Sequence, residues 1–129
     1  MTFAQFLKML REEKNLGMRE FARLSDQDPA YIYRLEAGDK SSPSAEVLKS
    51  LIRSLKPDER QARILRLLAD RGEVDDVLVK LVLKDTKIVI EDFESAAGAS
   101  FRENRPETEE QWRKYIARVR KAREEFERG

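Results

Sequence analysis

An all-α fold is predicted by three observations on this 129-residue sequence. Five glycines and four prolines leave few places where turns must fall. Apolar residues recur at helical spacing, i, i+3, i+4 and i+7, through most of the length. Residue pairs with capping-box spacing, Thr2 with Gln5 and Thr108 with Gln111, stand in front of two of these runs. Composition also narrows the chemistry. A hydrophobic content of 40% supports a modest core, while charged residues, also 40%, well exceed the usual quarter. The net charge is only +1, so no global basic field announces nucleic acid and any such signal must be local. There is no cysteine and no histidine, which removes disulfides, thiolate chemistry, the commonest zinc ligands and the commonest general base. No apolar run approaches the ~20 residues of a membrane span. The N-terminus lacks a basic segment followed by an apolar one, so no signal peptide, no membrane contact and a cytosolic location are expected.

The first helix is expected from Thr2 to Lys14, with Phe3, Phe6, Leu7 and Leu10 as its apolar stripe. After the stretch considered next, Lys40-Ser41-Ser42-Pro43 is a polar loop. Ser44 caps a helix whose inward face is Val47, Leu48, Leu51, Ile52 and Leu55. Pro57 breaks it, and Asp58 caps another with Ala62, Leu65 and Leu68 inward and Ile64 and Leu67 widening the face, ended by Gly72.

The stretch Leu16 to Gly38 carries the strongest local signal. It divides into two short amphipathic helices, one with Met18, Phe21 and Ala22 inward, the other with Ile32, Leu35 and in part Tyr31. Asp28 followed by Pro29 marks the start of the second. Proline has its φ pre-set for a first turn, lacks only an N–H that the turn does not use, and pushes Asp28 into the extended region that an N-cap needs. Gly38 stops the helix as a left-handed cap. Two short helices, a sharp turn and an exposed face on the second form a helix-turn-helix, which presents side chains to a DNA major groove.

A second region begins near Glu73. Val74, Val77, Leu78, Leu81 and Val82 have helical spacing, with Val79 and Leu83 on the other side, and a helix apolar nearly all round is buried, often against another chain. Thr86 is the expected cap of a further helix with Val89, Phe93 and Ala97 inward, ended by Gly98, although the triplet Ile88-Val89-Ile90 also suits a strand. Ala99 to Pro106 is a loop. A long helix then runs to about Glu127 with Trp112, Tyr115, Ile116, Val119 and Phe126 on one face. Charge divides unevenly: residues 1–72 carry +3, residues 73–100 carry −4 and residues 101–129 carry +2. The acidic middle argues against contact with DNA there. Asp75-Asp76 and Glu109-Glu110 are adjacent pairs that point to different faces of a helix, and without histidine, cysteine or a glycine-rich loop no catalytic constellation forms. No enzyme activity, metal or cofactor is expected.

The first half resembles the Cro/CI-type (XRE) helix-turn-helix family over about residues 3–68. The resemblance is carried by Leu16-Gly17-Met18-Arg19-Glu20-Phe21-Ala22, Ser25-Asp26-Gln27, Asp28-Pro29-Ala30-Tyr31-Ile32-Tyr33-Arg34-Leu35-Glu36-Ala37-Gly38 and Pro43-Ser44. It implies a five-helix, lambda-repressor-like DNA-binding domain, residues 1–72, followed by a small helical dimerisation domain, residues 73–129. Four positions depart from the family pattern: Met18 stands where a glutamine often bonds DNA, Gly17 where a serine caps, Asp26 where a turn glycine sits, and Gln27 where a small apolar residue follows. The family's base-reading positions fall at Asp28, Pro29, Ala30, Tyr33 and Arg34. Pro29 and Ala30 offer only apolar contact, which leaves Arg34 for a guanine or a phosphate, with Tyr33 beside it. Lys40, Ser41 and Ser42 fall where the family contacts phosphates, and Arg19 and Arg23 are placed to do the same. Glu36 is expected to pair or cap within the fold.

The second half, over about residues 74–122, resembles the C-terminal region of the DdrO repressor family. The matching residues are Phe101-Arg102-Glu103-Asn104-Arg105-Pro106, then Gln111-Trp112 and Tyr115-Ile116. This resemblance implies homodimerisation through the C-terminal domain, for which the apolar helical spacing offers Val74, Val77, Leu78, Leu81, Val82, Trp112, Tyr115, Ile116 and Val119. It also implies relief of repression by an ImmA/IrrE-type metallopeptidase cutting in the C-terminal domain. The expected activity is a dimeric repressor bound to double-stranded DNA at an inverted repeat. The competing expectation is an antitoxin whose C-terminal half wraps a protein toxin while the N-terminal half regulates its own operon.

Overall fold

The protein is described by a computed structural model covering residues 1–39 and 42–129. Among the described residues there are eight helices and no strand. They run α1 (Phe3–Glu13), α2 (Met18–Leu24), α3 (Pro29–Ala37), α4 (Ala45–Leu55), α5 (Glu59–Arg71), α6 (Asp76–Lys84), α7 (Ile90–Ala97) and α8 (Glu109–Arg128). None of the described helices is long and apolar enough to cross a membrane. The chain divides into two compact units, Met1–Glu73 and Val74–Gly129.

In the N-terminal unit the helix ends are set by local chemistry. At the start of α1 the Thr2 hydroxyl accepts from the Gln5 N–H at 3.2 Å, and the Gln5 side-chain Oε1 accepts from the Thr2 N–H at 2.9 Å. Asp58 and Gln61 repeat this at α5, and the Ser44 hydroxyl caps α4. The five helices close over one core. Phe6, Leu7 and Leu10 of α1, Phe21 of α2, Ile32 and Leu35 of α3, Leu51 and Leu55 of α4, and Ile64, Leu65 and Leu68 of α5 are all essentially inaccessible to solvent. Val47, Leu48 and Ile52 lie at its edge, half-buried. The Gln61 amide also donates to the Glu13 carboxylate, tying α5 to α1.

The C-terminal unit packs α6, α7 and α8 around Leu78, Val79, Leu81, Val82, Phe93, Ala96, Trp112 and Ile116. The Thr108–Gln111 capping box forms at α8. Three expectations are corrected here. Helix α6 begins at Asp76, where the Asp75 carboxylate accepts from the N–H groups of Val77 and Leu78, so Val74 precedes the helix although it is buried. Helix α7 begins at Ile90 with Val89 as its N-cap, not Thr86, because Asp85 accepts from the Lys87 N–H and turns the chain first. Its inward side chains are therefore Asp92, Phe93 and Ala96, while Val89 is exposed and Ala97 half-buried. Phe126 leaves the expected stripe of α8 and is 86% exposed.

Candidate nucleic-acid interface

Helix α3 is positioned by three local devices. Asp28 has the extended backbone of an N-cap (φ −70°, ψ 133°), and its carboxylate accepts from the Ala30 N–H at 2.7 Å. Pro29 takes the first helical position, and Gly38 ends the helix in the left-handed region at φ 79°. Ile32 and Leu35 anchor one side in the core, so the opposite side faces solvent. Before it, the turn from α2 passes through Asp26 at φ 56°, a left-handed residue where the family pattern has glycine. Aspartate tolerates that region better than most side chains. The turn is closed by the Gln27 N–H to the Ala22 carbonyl at 2.8 Å and by the buried Ser25 hydroxyl to the Phe21 carbonyl at 2.7 Å.

A buried ion pair fixes α3 at its flank. The Arg11 guanidinium donates from Nε to Glu36 Oε2 at 2.7 Å and from Nη2 to Oε1 at 2.9 Å. Its Nη1 donates to the Leu16 carbonyl at 2.8 Å. One side chain thus holds α1, the segment leading into α2, and α3 in register. The Glu36 carboxylate keeps the Arg11 pKa raised against the cost of burial. The sequence pattern points to Glu36 as a pairing residue but gives no partner for it, and the structure supplies Arg11.

The exposed face of α3 presents Pro29, Ala30, Tyr33 and Arg34. Tyr33 is 60% exposed. Arg34 is exposed, and no ion pair ties up its side chain among the described residues. Asp28 is exposed but spends one carboxylate oxygen on its cap. On α2, Arg19 is exposed and likewise has no ion-pair partner among the described residues. Arg23 differs: it forks onto Glu20, at 2.6 Å and 3.1 Å, one turn earlier on the same helix. That guanidinium holds the Glu20 carboxyl below its ordinary range, and its own charge is largely spoken for. Ser42 is exposed, while Lys40 and Ser41 lie outside the described residues.

Residues 7–56 match the helix-turn-helix family model. That stretch is a helix-turn-helix domain. The match runs from Leu7 in α1 to Lys56 just past α4, and so takes in the turn, α3 and the Arg11–Glu36 pair. It supports a DNA-binding regulator of the XRE type. No curated protein matches the chain.

For the C-terminal unit, burial redistributes the expected dimer residues. Val74, Leu78, Leu81, Val82, Trp112 and Ile116 lie in the unit's own core, so they cannot face a second chain without opening it. Val77, Tyr115 and Val119 are half-buried and keep some accessible surface. Phe101 packs edge-on against Tyr115 and Trp112, with ring centroids 5.1 Å and 6.0 Å apart. It pins one end of the loop before α8, and buried Pro106 ends it. Arg102 to Arg105, between these anchors, are exposed, and Asn104 adopts a left-handed backbone.

Proposed function

We propose that the chain is a dimeric repressor, acting in the cytosol, in which residues 1–72 read DNA and residues 73–129 hold two copies together. The observation that carries this reading is the face of α3: a helix tied to α1 by a buried ion pair presents to solvent Tyr33 and Arg34, the latter without an ion-pair partner among the described residues, within the helix-turn-helix domain. Pro29 and Ala30 give that face few polar contacts, so one copy would bind weakly. A two-fold dimer setting two such helices one DNA turn apart, about 34 Å, reads an inverted repeat and multiplies the contacts. Occupied promoter DNA is then closed to transcription. Selection of duplexes bound by the full chain from a random pool tests this. An enriched inverted repeat with half-sites one turn apart is expected; a pool without enrichment, or one enriched in single half-sites, contradicts it.

Relief of repression by proteolysis is the second part of the proposal. It rests on the likeness of residues 101–116 to the DdrO family and on the exposure of Arg102 to Arg105 between two anchored ends. A cut there separates α8, with Trp112 and Ile116, from the α6 and α7 side chains it covers. Tryptic cleavage after Arg102 should therefore abolish dimerisation and operator binding together. A nicked protein that keeps both speaks against this step. A folded C-terminal core favours a dimerisation domain over an antitoxin tail that orders only on its toxin.

A further inference from the structure

Two apolar features of the C-terminal unit remain unsatisfied within its own fold. Phe126, in the last turn of α8, is 86% exposed. A groove of about 430 Å³ opens between α8 and the segment joining α6 to α7. Ile88, Val89, Ile116 and Ala117 make its apolar floor, and Val89 is 38% exposed there. The groove reaches Glu124 on α8, and Phe126, two residues on, points about 200° round the helix, so it does not fill the groove of its own chain.

Charge indicates what does. The acids lining the groove are each held by an arginine: Asp85 by Arg113, Asp92 by Arg123 and Glu124 by Arg120. Lys87 and Lys121 then set a positive rim. Phe126 lies between Glu125 and Glu127; Arg123 reaches Glu127 at 3.4 Å, which leaves Glu125 as the acid beside the aromatic ring. An apolar floor with a basic rim complements an aromatic knob with an acidic flank.

We propose that Phe126 of one copy seats in this groove of a second copy, and reciprocally, so that a two-fold axis generates two identical knob-and-groove contacts. The inference rests on the dimer reading above and names its surface. Aromatic side chains centred in such pockets dominate interface energetics. The full chain is examined by light scattering across a dilution series, with circular dichroism to verify folding. Phe126→Ala should weaken dimerisation by about tenfold or more, and because the side chain is exposed the fold should be unchanged. Lys121→Glu, on the rim, should weaken it too, and Phe126→Ala added to Val89→Glu should cost little beyond Val89→Glu alone, since both remove one contact. A dimeric parent whose Phe126→Ala and Lys121→Glu variants associate as tightly overturns the inference and leaves the dimer reading standing. A parent chain that stays monomeric at all concentrations overturns both.

Discussion

Arg11 and Glu36, 25 positions apart, meet in a two-pronged ion pair whose side chains are 10% and 3% exposed. On α3 Glu36 lies at the flank of the buried side, about 200° round the helix from Arg34 and about 60° from Tyr33, and ties the helix to α1. Removing one partner leaves the other charge buried and unpaired. Glu36→Ala should therefore destabilise the N-terminal unit by about 3–5 kcal/mol. Replacing both, as Arg11→Met with Glu36→Leu, should be close to neutral, because the cost of desolvating the pair disappears with it. Chemical denaturation of the parent, Glu36→Ala and the double variant checks both statements, and a double variant as unstable as Glu36→Ala would contradict the second.

Acid should act on the C-terminal unit through Asp85 and Glu109. The Arg113 guanidinium, aided by the Lys87 N–H, holds the Asp85 carboxyl below its ordinary 3.8, and Lys84 does the same for Glu109 below 4.5. A folded-state pKa below the unfolded one gives stability that is complete above the unfolded value and is lost as pH falls through the folded value. Melting temperature should thus hold steady at neutral pH and fall below about pH 4. Asp85→Asn should lower it at neutral pH and flatten the acid limb. Both pairs are partly open to solvent, so salt screens them and the effect should shrink in high salt.

Trp112 is buried, yet its Nε1–H has no hydrogen-bond partner among the described residues. Trp112→Ala should cost about 3–5 kcal/mol, since the ring fills the core and meets Phe101 and Tyr115 edge-on. Trp112→Phe should cost much less, because it keeps an aromatic ring and removes an unsatisfied donor. Equal losses measured by denaturation would mean that the donor is satisfied.

Arg23 and Arg34 should separate in DNA titrations. Glu20 already pairs with Arg23, so Arg23→Ala should change affinity much less than Arg34→Ala does. A loss as large as that from Arg34→Ala would place Arg23 against the DNA after breaking its pair with Glu20.

The helix ends were legible because capping is local. Thr2 with Gln5, Asp28 with Pro29, Ser44, Asp58 and Thr108 with Gln111 all act within three residues, and each appears as expected. What sequence spacing did not convey depends on distant partners. Arg11 lies four residues past Leu7 and eight past Phe3, in line with the buried stripe of α1, and Glu36 lies four past Ile32. Two opposite charges each interrupting an apolar stripe were the available signal for a buried pair. Phe126 fits the periodicity of α8, but periodicity gives a face and not where the opposing surface stops. The start of α7 was misplaced at Thr86 because the turn there depends on Asp85, whose carboxylate is also held by Arg113 from α8. The residues proposed to read DNA followed from motif register, and their exposure depends on which side Ile32 and Leu35 bury.

The measurement that bears most directly on the proposed reading helix is the affinity of the full chain and of Arg34→Ala for the duplex selected from a random pool, at fixed salt. Arg34→Ala should weaken that complex by about 1–3 kcal/mol while leaving the affinity for unrelated duplexes less affected. Unchanged affinity for the selected duplex would contradict the assignment of α3 as the helix that reads DNA.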